Sequence, residues 1–296
     1  MKLTGSKDIK KYVGAYLNSI ATSLNNKVVV DVPAGTGYSS EILLKTGADV
    51  RPFDLFPEFF KVAGVRCQSA DLNKTIPLED ASADVVLFQE GIEHLQDQLH
   101  VLHEMNRVLK PGGVLLLTTP NYSNLRAKLS YFLNESEIYK LMPPNQVESI
   151  WFGENNTDDK EQGGDQGSSI GSRYYFGHMF LIGIHRLKLL ASLAGFRIKR
   201  IHHTRVNITS LVLLLLLYPL ILFSSWRAYR RALRKNRFVG ENERKAIFKE
   251  SFQLMINPKI LIDSHLFVEF EKINELDNIS ESLKIYHKHS DTDFQT

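Results

Sequence analysis

Residues 28–40 read VVVDVPAGTGYSS. A β-branched run ends in an acid, and a loop of small residues follows at once. A short apolar run without alternation is the pattern of a strand buried on both faces. Residues 39–46 then resume at helical spacing until Gly47. A buried strand that enters a small-residue loop and then a helix suits a nucleotide-like ligand. Small side chains let the backbone approach, and the helix N-terminus offers unpaired N–H groups with partial positive charge. Gly35 and Gly37 are the candidates for close approach, and Asp31 closes the strand as a hydrogen-bond acceptor or cation partner. GTGYSS comes near the dinucleotide pattern GxGxxG, and a tight structural turn has a similar composition, so this stretch alone leaves both open. Pro33 among the glycines removes one N–H and fixes φ at about −65°. It is harmless if that N–H is not a ligand donor.

The flanking chain repeats the alternation. Upstream, residues 8–24 place Ile9, Tyr12, Val13, Tyr16, Leu17 and Ile20 at helical spacing, with Ser6 as N-cap. Downstream, strands are expected at 48–53 (ending at Asp54), 65–68, 84–89 and 114–119. A helix at 97–109 is closed by a turn at KPGG, 110–113. Strands alternating with helices predict an α/β fold, a doubly wound, Rossmann-like, mostly parallel sheet with helices on both faces. A further helix is expected near 185–194, and strands at 197–201 and 265–273. Residues 154–173 are polar and Gly/Ser-rich, and are read as a mobile loop.

The ordered set of motifs resembles the class I S-adenosylmethionine (SAM)-dependent methyltransferases. DVPAGTG stands where that family has D/E-x-G-x-G-x-G, with Pro33 in place of the first glycine. GADVRPFD resembles its second strand with the ribose-binding acid. DLNKTIPLEDASADVVLFQEGIEHL and MNRVLKPGGVLLLTTPN match its later segments, and GHMFLIGIHRLKLLASLAGF is similar to a segment beyond them. The strong part covers residues 28–121. The resemblance implies a terminal antiparallel strand and SAM as cofactor. It implies cofactor contacts from Asp31, Pro33, Ala34, Gly35, Gly37, Asp54, Leu55, Asp71, Leu72 and Gln89. Asp54 would take the ribose hydroxyls, and Asp71 with Leu72 the adenine edge and face.

Methyl transfer to a hydroxyl benefits from a general base, and histidine is well suited. The candidates are His94 in EGIEHL and His178 in FGHMF, with Glu90 to orient a histidine or hold a substrate hydroxyl. Both histidines also have a packing role open to them. Asn121 is open to facing substrate or to shaping a turn. Glu90, Glu93 and His94 do not by themselves assemble a metal site, and no metal is expected.

Residues 211–223, LVLLLLLYPLILF, are apolar except for Tyr218. Arg227, Arg230, Arg231, Arg234, Lys235 and Arg237 follow, and Arg197, Lys199, Arg200 and Arg205 precede. A buried core helix is disfavoured, because leucine on every face beside dense arginine suits no soluble surface helix. The run is shorter than the ~20 apolar residues of a membrane crossing, contains Pro219, and has cations on both sides. The preferred reading is a shallow, re-entrant or in-plane membrane anchor over 208–237 that contacts lipid headgroups, with Trp226 at the interface. A substrate-access cap or a partner-binding surface is the rival. The expected organisation is an N-terminal helix to 24, a methyltransferase domain over 25–205, the insertion over 206–257, a last strand within 258–275 and a polar tail over 276–296.

The bulk numbers agree with this outline. The 296 residues are 43% apolar with net charge +3. That supports a full core and gives no general case for nucleic acid. Cys67 is the single cysteine, so no internal disulfide forms. Residues 1–20 lack the continuous apolar core of a signal peptide. The expectation is a cytoplasmic enzyme, peripheral or monotopic at the membrane, acting on a glycan, lipid-linked or other small acceptor. The rival functions are a SAM-binding scaffold without catalysis, and a small-molecule methyltransferase with the insertion as lid.

Overall fold

The computed structural model describes residues 5–136, 150–152, 174–176, 179–235 and 240–274. The expected loop at 154–173, the tail at 276–296 and His178 lie outside the described residues. In chain order the elements are α1 (Gly5–Ser19), α2 (Ala21–Leu24), β1 (Val28–Asp31), α3 (Tyr38–Lys45), β2 (Asp49–Asp54), β3 (Gln68–Ser69), β4 (Ala83–Gln89), α4 (Gln98–Val108), β5 (Leu109–Pro120) and α5 (Leu125–Asn134). Then follow β6 (Ile150–Phe152), β7 (Tyr174–Phe176), α6 (Ile184–Leu193), β8 (Phe196–His202), α7 (Ile208–Lys235), α8 (Glu241–Ile256), α9 (Pro258–Ile262) and β9 (His265–Lys272).

Seven strands form one sheet in the order β3-β2-β1-β4-β5-β9-β8, and β6 pairs with β7 separately. β1 to β5 are parallel, β9 is antiparallel to β5, and β8 is antiparallel to β9. The strand period of two sends alternate residues to opposite faces. Leu115 and Leu117 of β5 join the core under α4 and α6, with Met105 and Leu187. Leu116 joins the core under α1 and α3, with Val13, Leu17 and Leu43. Each such fully buried side chain contributes about 1.5–3 kcal/mol. The sheet is therefore wound on both faces, as the sequence predicts.

Several boundaries differ from expectation, each for a local reason. The N-terminal helix breaks at Ile20, where the Ser19 and Ser23 hydroxyls bond back to the Tyr16 and Ile20 carbonyls, both at 2.7 Å. Ser6 lies inside the first turn of α1 instead of capping it. The third strand starts at Gln68, because pairing exists only with Phe53 and Asp54, the last two residues of β2. KPGG does not separate α4 from a strand beginning at Val114. The strand starts at Leu109, opposite Ala83, and the residues up to Val114 loop out before pairing resumes at Val85. The segment 258–275 opens with α9, begun by Pro258 and capped by Asn257, whose Oδ1 accepts the Lys259 N–H at 3.0 Å. The apolar insertion holds one helix of 28 residues that runs through Pro219.

Candidate active site

The site lies at the carboxyl edge of the parallel strands. β1 delivers the chain into the small-residue loop, where the Ala34 N–H donates to the Phe53 carbonyl at 2.8 Å and the Gly35 N–H to Asp54 Oδ2 at 2.7 Å. Asp54 Oδ1 also accepts the Phe56 N–H at 2.9 Å. The carboxylate that ends β2 thus pins the loop that ends β1, and its remaining lone pairs stay available to a ligand.

Gly35 and Gly37 both have positive φ, +53° and +89°, but they are required for different reasons. A Cβ on Gly35 would meet nothing within 4 Å, so that position faces open space in the cleft. A Cβ on Gly37 would lie 2.4 Å from Val62 Cγ2 and 2.8 Å from Phe60 Cε2. Gly37 therefore serves close packing at the start of α3.

The loop borders a cleft of about 340 Å³. Pro33, Ala34, Gly35, Asp54, Leu55, Asp71, Leu72, Gln89, Glu90 and His94 all line it. The structure thus brings together most of the residues singled out in the sequence. Its size falls within the usual range for small-ligand sites, and its walls combine apolar side chains with a few aimed polar groups. The Val32–Pro33 peptide is cis.

Two expected contacts are not on the lining. Gly37 packs as described. Asp31 is fully buried beneath the loop, where Oδ2 accepts the Ser40 hydroxyl at 2.6 Å. Burial pushes its carboxyl up to about 7, the Asp54 charge adds to that, and the Ser40 hydrogen bond opposes it. Its Oδ1 has no hydrogen-bond partner among the described residues.

At the end of β4 the chain turns sharply. Glu90 has φ +48°, which swings the next residues into a 3₁₀ turn, Ile92–His94. Glu93 is fully buried and its Oε2 accepts the Thr119 hydroxyl at 2.9 Å. His94 Nε2 stands 3.9 Å from Glu93 Oε1. Burial, and then the neighbouring Glu90 charge, hold the Glu93 carboxyl well above the ordinary range. Burial raises the Glu90 carboxyl to about 7.

His265, the first residue of β9, completes this group, with Nε2 3.5 Å from Glu90 Oε2. Sequence reasoning missed it. It opens an apolar strand, and only the antiparallel register, His265 opposite Pro120, carries it to the carboxyl edge of the parallel strands. Lys10 and Tyr38 on the cleft wall were also missed: α1, which carries Lys10, had no anticipated part in the site, and Tyr38 opens α3 just past the loop glycines. Among the described residues, Lys10 is the one lysine or arginine on the lining. Asn121 resolves to a structural role: its Nδ2 donates to the Ile260 and Asp263 carbonyls, both at 2.8 Å, and its Oδ1 accepts the Ser123 N–H at 2.9 Å.

The residues present fit an adenosyl cofactor. The open side of Gly35, the Asp54 carboxylate and the Asp71–Leu72 pair face one cavity, and Glu90 Oε1 is buried without a hydrogen-bond partner among the described residues.

Residues 30–117 match the family model described as methyltransferase domain. A ubiquinone biosynthesis O-methyltransferase of Psychrobacter arcticus is 34% identical over 122 residues, 37% of this chain and 48% of that protein. The protein of that description from Actinobacillus pleuropneumoniae is 29% identical over 141 residues, 43% of this chain and 60% of that protein. The chain spans about half the length of the curated relatives it matches. Among solved structures, a SAM-dependent methyltransferase from Archaeoglobus fulgidus superposes with TM-score 0.48 at 14% identity, over 89% of this chain and 94% of that one. Residues 30–117 are thus similar to a methyltransferase domain.

Proposed function

We propose that the protein is an O-methyltransferase that uses SAM and works on a hydroxyl acceptor at a membrane surface. The observation that carries this reading is the convergence of Gly35, Asp54, Asp71 and Glu90 on one cleft at the strand ends. The bound cofactor would supply an electrophilic methyl group on a sulfonium. Asp54 would hold the ribose hydroxyls, and Asp71 with Leu72 the adenine. Glu90 and His94 stand where an acceptor hydroxyl would enter, and the partly buried Glu90 carboxylate is the group suited to take its proton. Positioning of acceptor and donor in the cleft supplies the rest of the rate.

The similarity to ubiquinone biosynthesis O-methyltransferases favours a phenolic hydroxyl on a quinone-type acceptor over a glycan hydroxyl. Both are headgroups of membrane-borne molecules.

The membrane part of the reading is supported by α7. Ile208, Leu215, Leu216, Leu220 and Phe223 are exposed, while the buried positions of this helix are Ser210 and Ser225. This is inverted amphipathicity, which suits lipid and not water. α8 packs back along α7 through Tyr229 and Phe252, 5.5 Å apart, and the Tyr218–Ile256 hydrogen bond. With Arg126 beside its first turn and Arg227, Arg230, Arg231 and Arg234 toward its other end, α7 carries cations at both ends, so an in-plane seat fits it better than a span.

Calorimetric titration of SAM into the wild type and Asp54→Ala tests the cofactor site. Saturable binding that is lost in the variant supports the enzyme reading. A folded wild type that does not bind SAM would sink it, and the SAM-binding scaffold with it.

A further inference from the structure

The exposed apolar surface does not stop at α7. α5 leaves the carboxyl end of β5 and turns its small side toward the protein, burying Ala127 and Ser130 along with Leu125. Its larger apolar side chains face outward: Phe132 is 84% exposed and Leu133 55%, with Leu129 beside them. α5 thus has the same inverted amphipathicity as α7.

The two helices start from one joint. Ser210 Oγ, in the first turn of α7, accepts the N–H of Arg126 in the first turn of α5 at 3.0 Å. Asn124 caps α5 by accepting the Ala127 N–H at 2.8 Å, and its Nδ2 reaches the Asp263 carbonyl at 3.2 Å. Asn207 braces the other side, its Oδ1 accepting the Ser210 N–H at 3.0 Å. Asn121 binds the same Asp263 carbonyl, so the joint hangs on the strand ends that carry the candidate site.

We infer that α5 is a second membrane-inserting element, and that α5 and α7 together seat the catalytic edge on an anionic lipid leaflet. This rests on the membrane reading of α7 and extends it. The charge pattern selects the partner. Neither helix contains an acid, whereas α5 carries Arg126 and Lys128, and the last turns of α7 carry Arg227, Arg230, Arg231, Arg234 and Lys235. Arg230 lies over the Trp226 ring at 5.7 Å, an aromatic–cation pair at the border between apolar stripe and basic end. A second copy of the chain would set these cations against each other, while anionic headgroups neutralise them. Seated this way, the site opens toward the bilayer, and its acceptor is an amphiphile whose headgroup reaches the cleft while its tail stays in lipid.

The test is sedimentation of the full chain with phosphatidylcholine vesicles, with and without about 30% phosphatidylglycerol. The variants are Phe132→Ser/Leu133→Ser in α5, Leu215→Ser/Leu216→Ser in α7, and Ile273→Ser, a half-exposed residue past the end of β9, as control. All are surface positions, and calorimetric SAM affinity verifies that each variant is folded. The expected result is binding that requires phosphatidylglycerol, weakened about tenfold or more by the α5 pair and by the α7 pair, and unchanged in the control. If the α5 pair binds like wild type while the α7 pair does not, the inference fails and the membrane reading stands. If the wild type ignores both vesicles, both fail. Equal binding to the two vesicle types overturns the anionic partner.

Discussion

Glu90 and His265 face each other across the carboxyl edge of the sheet, Oε2 to Nε2 at 3.5 Å, although 175 residues separate them in the chain. Glu90 reaches the cleft from β4, and His265 stands behind it at the start of β9. The groups around the pair are Glu93 and His94 from the 3₁₀ turn and Thr118 from β5. Glu90 accepts a proton only as carboxylate, and burial raises it to about 7. Methyl transfer should therefore rise with pH through about 7 and level off above it. Glu90→Gln should abolish that limb and lower kcat by about 10²–10⁴, with SAM affinity little changed. The check is kcat/KM against pH with methyl-labelled SAM. An unchanged profile in the variant would remove Glu90 from the chemistry.

Asp31 predicts a pH-dependent stability. Its folded-state carboxyl is raised to about 7, while an unfolded aspartate stays near 3.8. The sign follows from linkage. The unfolded state gives up its proton first, so stability present below about 4 is lost as pH rises through about 7. At about 1.4 kcal/mol per unit the loss is on the order of 4–5 kcal/mol. Asp31→Asn should flatten this slope and keep the Ser40 hydroxyl bonded. Urea unfolding at pH 5 and pH 8.5 measures it. A wild-type slope no steeper than that of Asp31→Asn would contradict the assignment.

The parallel half of the sheet was legible in the sequence because β1 and β4 are buried runs flanked by turn residues, and local pattern suffices for such strands. The cleft was legible because Asp54 and Gln89 close their strands and Gly35 and Asp71 follow shortly after theirs. What failed was whatever depended on partners distant in sequence. β3 shrank to two residues because its length is set by β2. His265 was unreadable because only the β5–β9 register places it at the edge. α5 was not anticipated as a surface feature, since its apolar residues are ordinary for a core helix. Only the fold shows that they point outward.

The two loop glycines should fail differently. Gly35→Ala gains a Cβ with room around it, so the variant carries mainly the strain of positive φ, about 1–2 kcal/mol. It should fold and bind SAM more weakly. Gly37→Ala drives a Cβ to 2.4 Å from Val62 in addition to its own positive φ, and should lose about 2–4 kcal/mol of stability. Thermal melts paired with SAM titrations separate the two. Equal melting temperatures for both variants would contradict the packing role of Gly37.

Lys10 supplies the last prediction. Among the described residues it is the sole lysine or arginine on a cleft wall that also carries Asp54, Asp71 and Glu90, and its Nζ sits 6.0 Å from the Tyr38 ring centre. A ligand with a carboxylate at one end would place that group toward Lys10 and away from the acids. Lys10→Ala should raise the SAM dissociation constant about five- to tenfold, as expected for one partly exposed charge pair of ~1 kcal/mol. Lys10→Arg should keep most of the affinity, and melting should not change. Decarboxylated SAM separates this from a general loss of packing. If Lys10 meets the carboxylate, wild type and Lys10→Ala should bind the decarboxylated ligand equally. If Lys10 only props α1 against Tyr38, the variant should weaken both ligands by the same factor.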